Sequence, residues 1–101
     1  MIAITSTGKS KNSLVDLRFA RCPYFCIVEQ DNYRFVVNPF TQEENNVAPM
    51  VIDWLSNQGI DKIITGEIGS IAKNNLEEKK IQVILLNEEK INIGGILKKL
   101  A

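Results

Sequence analysis

The run Tyr24-Phe25-Cys26-Ile27-Val28-Glu29-Gln30-Asp31-Asn32-Tyr33-Arg34-Phe35-Val36-Val37 decides the fold. From Tyr24 to Glu29 it is apolar almost without interruption, the pattern of a strand buried on both faces. Gln30-Asp31-Asn32 is turn chemistry. Tyr33, Phe35 and Val37 then alternate with Arg34 and Val36, as in a strand with one face against a core. Two β-rich runs joined by so short a turn predict an antiparallel hairpin.

Upstream, Met1 to Thr5 reads as a first strand, with Ile2 and Ile4 on one face and Ala3 on the other. Ser6 to Ser13 is a polar loop, and Leu14, Val15, Leu17 and Phe19 anchor its continuation. This connection is too long for a tight hairpin, and long loops on a small domain are often functional. Pro23 pushes Cys22 toward an extended conformation. The first three strands are expected to form a meander.

Downstream the period changes. Val47, Val51 and Leu55 recur every four residues, with Ala48 and Ile52 beside them, which predicts an amphipathic helix. Asn45 or Asn46 is the expected cap, Pro49 falls in the first turn, and Gly59 supplies the stop. Asp61 to Thr65 reads as a buried strand. Gly66-Glu67-Ile68-Gly69 leads into a second helix with Ile71, Ala72, Asn75 and Leu76 on one side. Gln82 to Leu86 is a fifth strand, and Ile93, Ile96, Leu97 and Leu100 mark a last helix. Gly94 and Gly95 each cost that helix about 1 kcal/mol relative to Ala, so it needs docking to persist. The expected order is βββαβαβα: an α/β fold, one mixed five-stranded sheet with helices packed on its faces, in a single domain spanning 1–101.

Composition bounds the function. Twelve Lys+Arg balance twelve Asp+Glu, so no global field points to nucleic acid. Locally, Lys9, Lys11, Arg18 and Arg21 face Asp16 alone between Gly8 and Tyr24, an excess of positive charge that is either a solvated loop or an anion site. No apolar run approaches the ~20 residues that span a bilayer, and no leader pattern opens the chain. A cytoplasmic protein with reduced thiols is expected. Histidine is absent, which removes Ser/His/Asp and Cys/His catalysis and the commonest metal ligand.

Three places could carry chemistry. Cys22 and Cys26 are separated by three residues. On extended backbone their Cα atoms would stand ~13 Å apart, beyond the ~7 Å a disulfide tolerates. Cys26, in mid-strand, is expected in the core. Cys22, at the loop edge beside Arg21, is the candidate metal ligand, because a neighbouring cation lowers a thiol pKa. The second place is Thr65-Gly66-Glu67-Ile68-Gly69-Ser70, where Gly66 and Gly69 would let a ligand approach a helix N-terminus that attracts anions. A plain strand-to-helix turn explains the same residues, and no phosphate-loop lysine follows. The third is two-metal catalysis on clustered carboxylates. The first strand offers none and the fourth only Glu67, which argues against a nuclease.

Read in order, Ile2-Ala3-Ile4, Arg18-Phe19-Ala20-Arg21-Cys22-Pro23-Tyr24-Phe25, Val37-Asn38-Pro39, Gly59 to Gly69 with Ala72 and Leu76, and Ile81-Gln82-Val83 resemble the dinitrogenase iron–molybdenum cofactor biosynthesis family. The resemblance covers about residues 1–86. It implies a ribonuclease H-like fold without nuclease activity. It also implies a non-enzymatic protein that binds or carries anionic iron–sulfur or iron–molybdenum cluster species. Arg18 stands where family members often carry histidine, Ala20 where they carry glycine, and Glu67 where Thr-Gly-Gly-Ile-Gly has its second glycine. On this reading Arg18, Arg21 and Cys22 hold the cluster against the loop with Gly66 and Gly69. The partners are metallocluster assembly or recipient proteins, and the chain is a monomer or homodimer. The alternative is an interaction or regulatory domain of the same fold without the cluster site; a third reading is an enzyme acting on a small anion at the Gly66 loop.

Overall fold

The computed structural model of the chain describes residues 1–86, 88 and 90–100. Strands β1 (Ile2–Ser6), β2 (Tyr24–Glu29) and β3 (Asn32–Val37) come first. Helix α1 (Val47–Asn57), strand β4 (Lys62–Thr65), helix α2 (Ser70–Glu78), strand β5 (Gln82–Leu85) and helix α3 (Ile93–Leu100) follow. The strands form one mixed sheet in the order β3-β2-β1-β4-β5. β1 lies at its centre, antiparallel to β2 and parallel to β4.

Pleating sorts the core into two layers. Ile4 sits opposite Cys26 on one side and Ile64 on the other, and these three share a face with Val28. Ile93 and Ile96 of α3 cover that face. One residue along, Ala3 aligns with Ile27 and Ile63 on the opposite face, where Val51, Ile52 and Leu55 of α1 and Leu76 of α2 close over them. Because helices cover both faces, the inner stretches Ala3–Ile4, Phe25–Val28 and Ile63–Ile64 read as continuous apolar runs. β3 and β5 are the sheet edges and carry the exposed residues.

Three local expectations are corrected. The hairpin turn has two residues, since Glu29 already pairs with Asn32; Gln30 makes the tight reversal by taking a left-handed φ of 54°. Asn46 precedes α1 but is itself left-handed (φ 58°, ψ 30°), and its side chain caps nothing. The chain enters that helix by a sharp turn that asparagine tolerates better than most residues. Leu86 lies just past the end of β5, although its N–H still donates to the Thr65 carbonyl at 2.9 Å. Gly59 does end α1, at φ 86°.

The long β1–β2 connection is the feature that builds the site. It doubles back beside β1, with Asp16 N–H donating to Thr5 O at 2.9 Å and Thr7 N–H to Leu14 O at 3.0 Å. It also docks α3: Ile93 N–H donates to Ser13 O and Gly94 N–H to Lys11 O, each at 2.9 Å. Asn92 Oδ1 accepts the Gly95 N–H at 2.7 Å, capping that helix. These bonds offset the low helix propensity of Gly94 and Gly95.

Asn38 ties the far end of the connection to the sheet. Almost wholly buried, it donates through Nδ2 to Ala20 O (3.0 Å) and Cys22 O (2.8 Å). Its Oδ1 accepts the Phe40 N–H at 3.0 Å. Asn38→Ala strands these backbone groups without partners, and we expect it to lower the unfolding free energy by about 1–3 kcal/mol. Urea denaturation of the two proteins checks this.

Candidate functional site

Between Asp16 and Cys22 the chain alternates direction. Asp16 turns inward and is buried. Its carboxylate accepts three bonds from Arg18: the backbone N–H at 2.9 Å, Nε at 3.0 Å and Nη2 at 2.9 Å. This bidentate pair fixes the guanidinium and raises the Arg18 pKa, first through the hydrogen bond and then through charge. Phe19 points into the α1–α2 layer. Arg21 is exposed and donates to two neutral acceptors, the carbonyls of Glu43 and Glu44 in the connector before α1. Arg21 is therefore the cation of this segment whose contacts do not cancel its charge.

The Cys22 thiol is not where the sequence placed it. The residue does lie at the end of the loop, two residues before β2, but its side chain is fully buried in the α1–α2 layer, and its Sγ donates to Phe19 O at 3.3 Å. Burial, reinforced by the negative charge of Asp16, pushes its thiol up to about 12. The lowering expected from Arg21 is overturned: Arg21 reaches away to Glu43 and Glu44, the cation that does act on the thiol is Arg18, and desolvation outweighs it. Cys26 is a core thiol as expected, raised to about 11 by burial. The two lie in different layers, and both are free.

The two glycines divide. At Gly66 the backbone of Leu17 crosses so closely that an added Cβ would meet Leu17 Cα at 2.7 Å. The Glu67 N–H donates to Leu17 O at 2.6 Å, and Arg18 bridges to Glu67 in parallel. Gly66 makes room for the chain's own loop rather than for a ligand. Gly69 has nothing within 4 Å of its would-be Cβ, and it opens α2 with no side-chain cap. The space beside Gly69 is thus open.

These pieces meet at one open cleft of about 500 Å³. Arg18, Arg21, Glu67, Gly69 and Ile71 are among the residues that line it. Ile71 is 73% exposed, an unusual position for an isoleucine. The cleft is therefore lined by two arginines, the first residues of a helix and apolar side chains, with one glutamate among them. Among the described residues no three of His, Cys, Asp and Glu stand together as a metal site. Sequence reasoning missed Asp16 and Asn38 as organisers of this site. The one available signal was Asp16, the single acid in a basic segment, two residues from Arg18.

Fold and cleft define a small mixed α/β protein with an arginine-rimmed surface site. The chain belongs to the family described as dinitrogenase iron–molybdenum cofactor, which matches residues 1–101. Its structure is similar to that of the apo form of the orange protein from Desulfovibrio gigas. That comparison has a TM-score of 0.87 at 24% identity and covers 98% of this chain and 84% of that one. It is also similar to the NMR structure of a Thermotoga protein provisionally assigned as NifB. There the TM-score is 0.78 at 27% identity, with 98% and 84% covered. No curated protein sequence matches the chain significantly.

Gly66→Ala should destabilise the protein by about 1–3 kcal/mol through overpacking against Leu17, while Gly69→Ala leaves stability nearly unchanged; chemical denaturation of both variants separates the two roles. The buried thiols set an alkaline limit. Folding holds Cys22 neutral up to about 12, whereas an unfolded thiol ionises near 9.0. That stabilisation is intact below pH 9.0 and falls as pH rises toward 12. Urea midpoints taken from pH 7 to 11 should decline above about pH 9, and Cys22→Ala should flatten the decline.

Proposed function

We propose that this protein binds an anionic iron–sulfur or iron–molybdenum cluster species, or its precursor, and carries it without catalysing a reaction. One observation carries the reading: in a chain of this family, Arg18, Arg21 and the N-terminus of α2 at Gly69 line the same cleft. A metal–sulfide anion is large and weakly hydrated, so guanidiniums and amides supply its charge complement while Ile71 supplies soft contact. The donor set favours retention by charge and hydrogen bonds over ligation. With Cys22 buried and neutral, Cys22 as a metal ligand requires the loop from Arg18 to Pro23 to open. Loose retention is what a carrier needs, since the cargo must leave.

The finer assignments belong to the same proposal. A central first strand with a hairpin on one side and two parallel strands on the other supports the ribonuclease H-like reading. No helix among the described residues is long and apolar enough to cross a membrane, and we place the protein in the cytoplasm. Its partners there are cluster-assembly or recipient proteins. A second reading, an interaction domain without cargo, is favoured by the Asp16 carboxylate that already occupies Arg18 and by Glu67 in the cleft.

Anaerobic reconstitution with iron and sulfide, with and without molybdate, tests the cargo reading by visible absorption and metal analysis. Wild type is expected to retain metal, and Arg21→Glu to retain it about tenfold less, as for loss of one charge-assisted contact. Equal retention by wild type and Arg21→Glu overturns it. Cys22→Ala, checked for folding, decides the thiol's part: lost uptake makes it a ligand and retained uptake assigns the holding to charge. Under the second reading neither variant takes up less metal than wild type, and a partner captured by wild type still binds in chelator.

A further inference from the structure

The outer edge of β3 is a complete row of backbone donors and acceptors. Asn38 N–H donates to Pro23 O at 2.9 Å. That bond continues the β2–β3 register in which Val37 faces Tyr24 and Asn32 faces Glu29. Bonded pairs alternate along an antiparallel ladder, so Asn32, Arg34 and Val36 bond inward to β2. Tyr33, Phe35 and Val37 turn their N–H and C=O groups outward. β3 ends the sheet, and among the described residues no backbone bond outside the ladder reaches these three. Their side chains share the α3 face: Phe35 packs into that layer and Tyr33 meets it edge-on at 6.0 Å. Tyr33 is 42% exposed and Val37 62%. The strand carries no lysine, proline or bulge to protect such an edge, and its one charge, the exposed Arg34, lies on the opposite face from Phe35.

We propose that this edge pairs with the same edge of a second copy, antiparallel about a two-fold axis at Phe35. The residues themselves select that register. Centred on Phe35, Tyr33 faces the partner's Val37 and Phe35 faces the partner's Phe35. All three outward N–H groups on each chain then find carbonyls. Both are cross-strand pairs that stabilise sheets, aromatic with β-branched and aromatic with aromatic. Centring on Arg34 would set two guanidiniums directly opposite each other. Centring on Val36 would set Tyr33 opposite Pro39, which has no N–H to give. The two-fold pairing is isologous and closes at two chains. Tyr33 also lines the groove beside α3 with Leu97 and Leu100, where Lys11 lies over its ring at 5.3 Å and Asp31 and Lys98 add charge. The formal net charge of zero adds no long-range repulsion between copies. The site cleft lies between the β1–β2 connection and α2, away from β3, so pairing leaves it open.

Two measurements on the full chain test this. Amide hydrogen exchange, followed as protein concentration rises, should slow at Tyr33, Phe35 and Val37 together while β5 amides stay unchanged. Sedimentation velocity should show a dimer that grows with concentration, and Val37→Lys should raise its dissociation constant about tenfold or more. Val37 is mostly exposed, so the variant is expected to fold, and its circular dichroism checks that. A chain that stays monomeric at millimolar concentration, a dimer that Val37→Lys leaves unchanged, or concentration-dependent protection at β5 instead of β3 each overturns the proposal.

Discussion

The close crossing of Leu17 over Gly66 is the constraint on which the functional face depends. β1 and β4 are parallel neighbours, so their ends emerge side by side and leave backbone groups to satisfy. The returning β1–β2 connection satisfies them. Glu67 donates to Leu17 O, Asp16 donates to Thr5 O, and the Thr5 hydroxyl reaches Asp16 O at 2.6 Å and Thr65 Oγ1 at 3.0 Å. The Thr5, Asp16 and Thr65 groups are buried, so any one left unpaired would cost far more than the bond contributes when made. Only a residue without Cβ at position 66 admits the crossing. The cleft walls inherit their places from it, since Arg18 follows directly from Leu17 and Glu67 from Gly66.

Electrostatics at the cleft is a balance rather than an excess. Arg18 is held by a buried carboxylate, which fixes its geometry while reducing its pull on an incoming anion. Arg21 is held by two carbonyls, which fix its position and leave its charge in play. One arginine is thus preorganised and the other available. With Ile71 exposed at the start of α2, the cleft suits a broad, weakly hydrated anion better than a compact, strongly hydrated one.

The fold was legible in the sequence because its signals are local. Uninterrupted runs such as Phe25 to Val28, alternation at Tyr33 to Val37 and four-residue spacing at Val47 to Leu55 each report burial by neighbours a few residues away. Gly59 showed itself because its left-handed turn follows directly from a helix end. The site was legible only in part, because its determinants act across the chain. Gly66 looked like a ligand glycine since nothing nearby reveals Leu17, which comes from far upstream. Cys22 reads as reactive beside Arg21 because adjacency in sequence does not reveal adjacency in space. In the folded chain the guanidinium reaches out to Glu43 and Glu44 while the thiol goes into the core. Asn38 gave no sign of clamping Ala20 and Cys22, whose carbonyls lie on a different element.

The placement of the cysteines gives the sheet a property of its own. One thiol lies under α1 and α2, the other under α3, with a full layer of hydrogen-bonded backbone between them. Neither can reach the other while the strands hold, and neither meets solvent unless its own layer lifts. Each is a natural reporter for one side of the molecule. Labelling at Cys22 records excursions of the α1–α2 layer or of the segment that carries the arginines, and labelling at Cys26 records those of α3. Opening on the two sides can therefore be timed separately in the native chain.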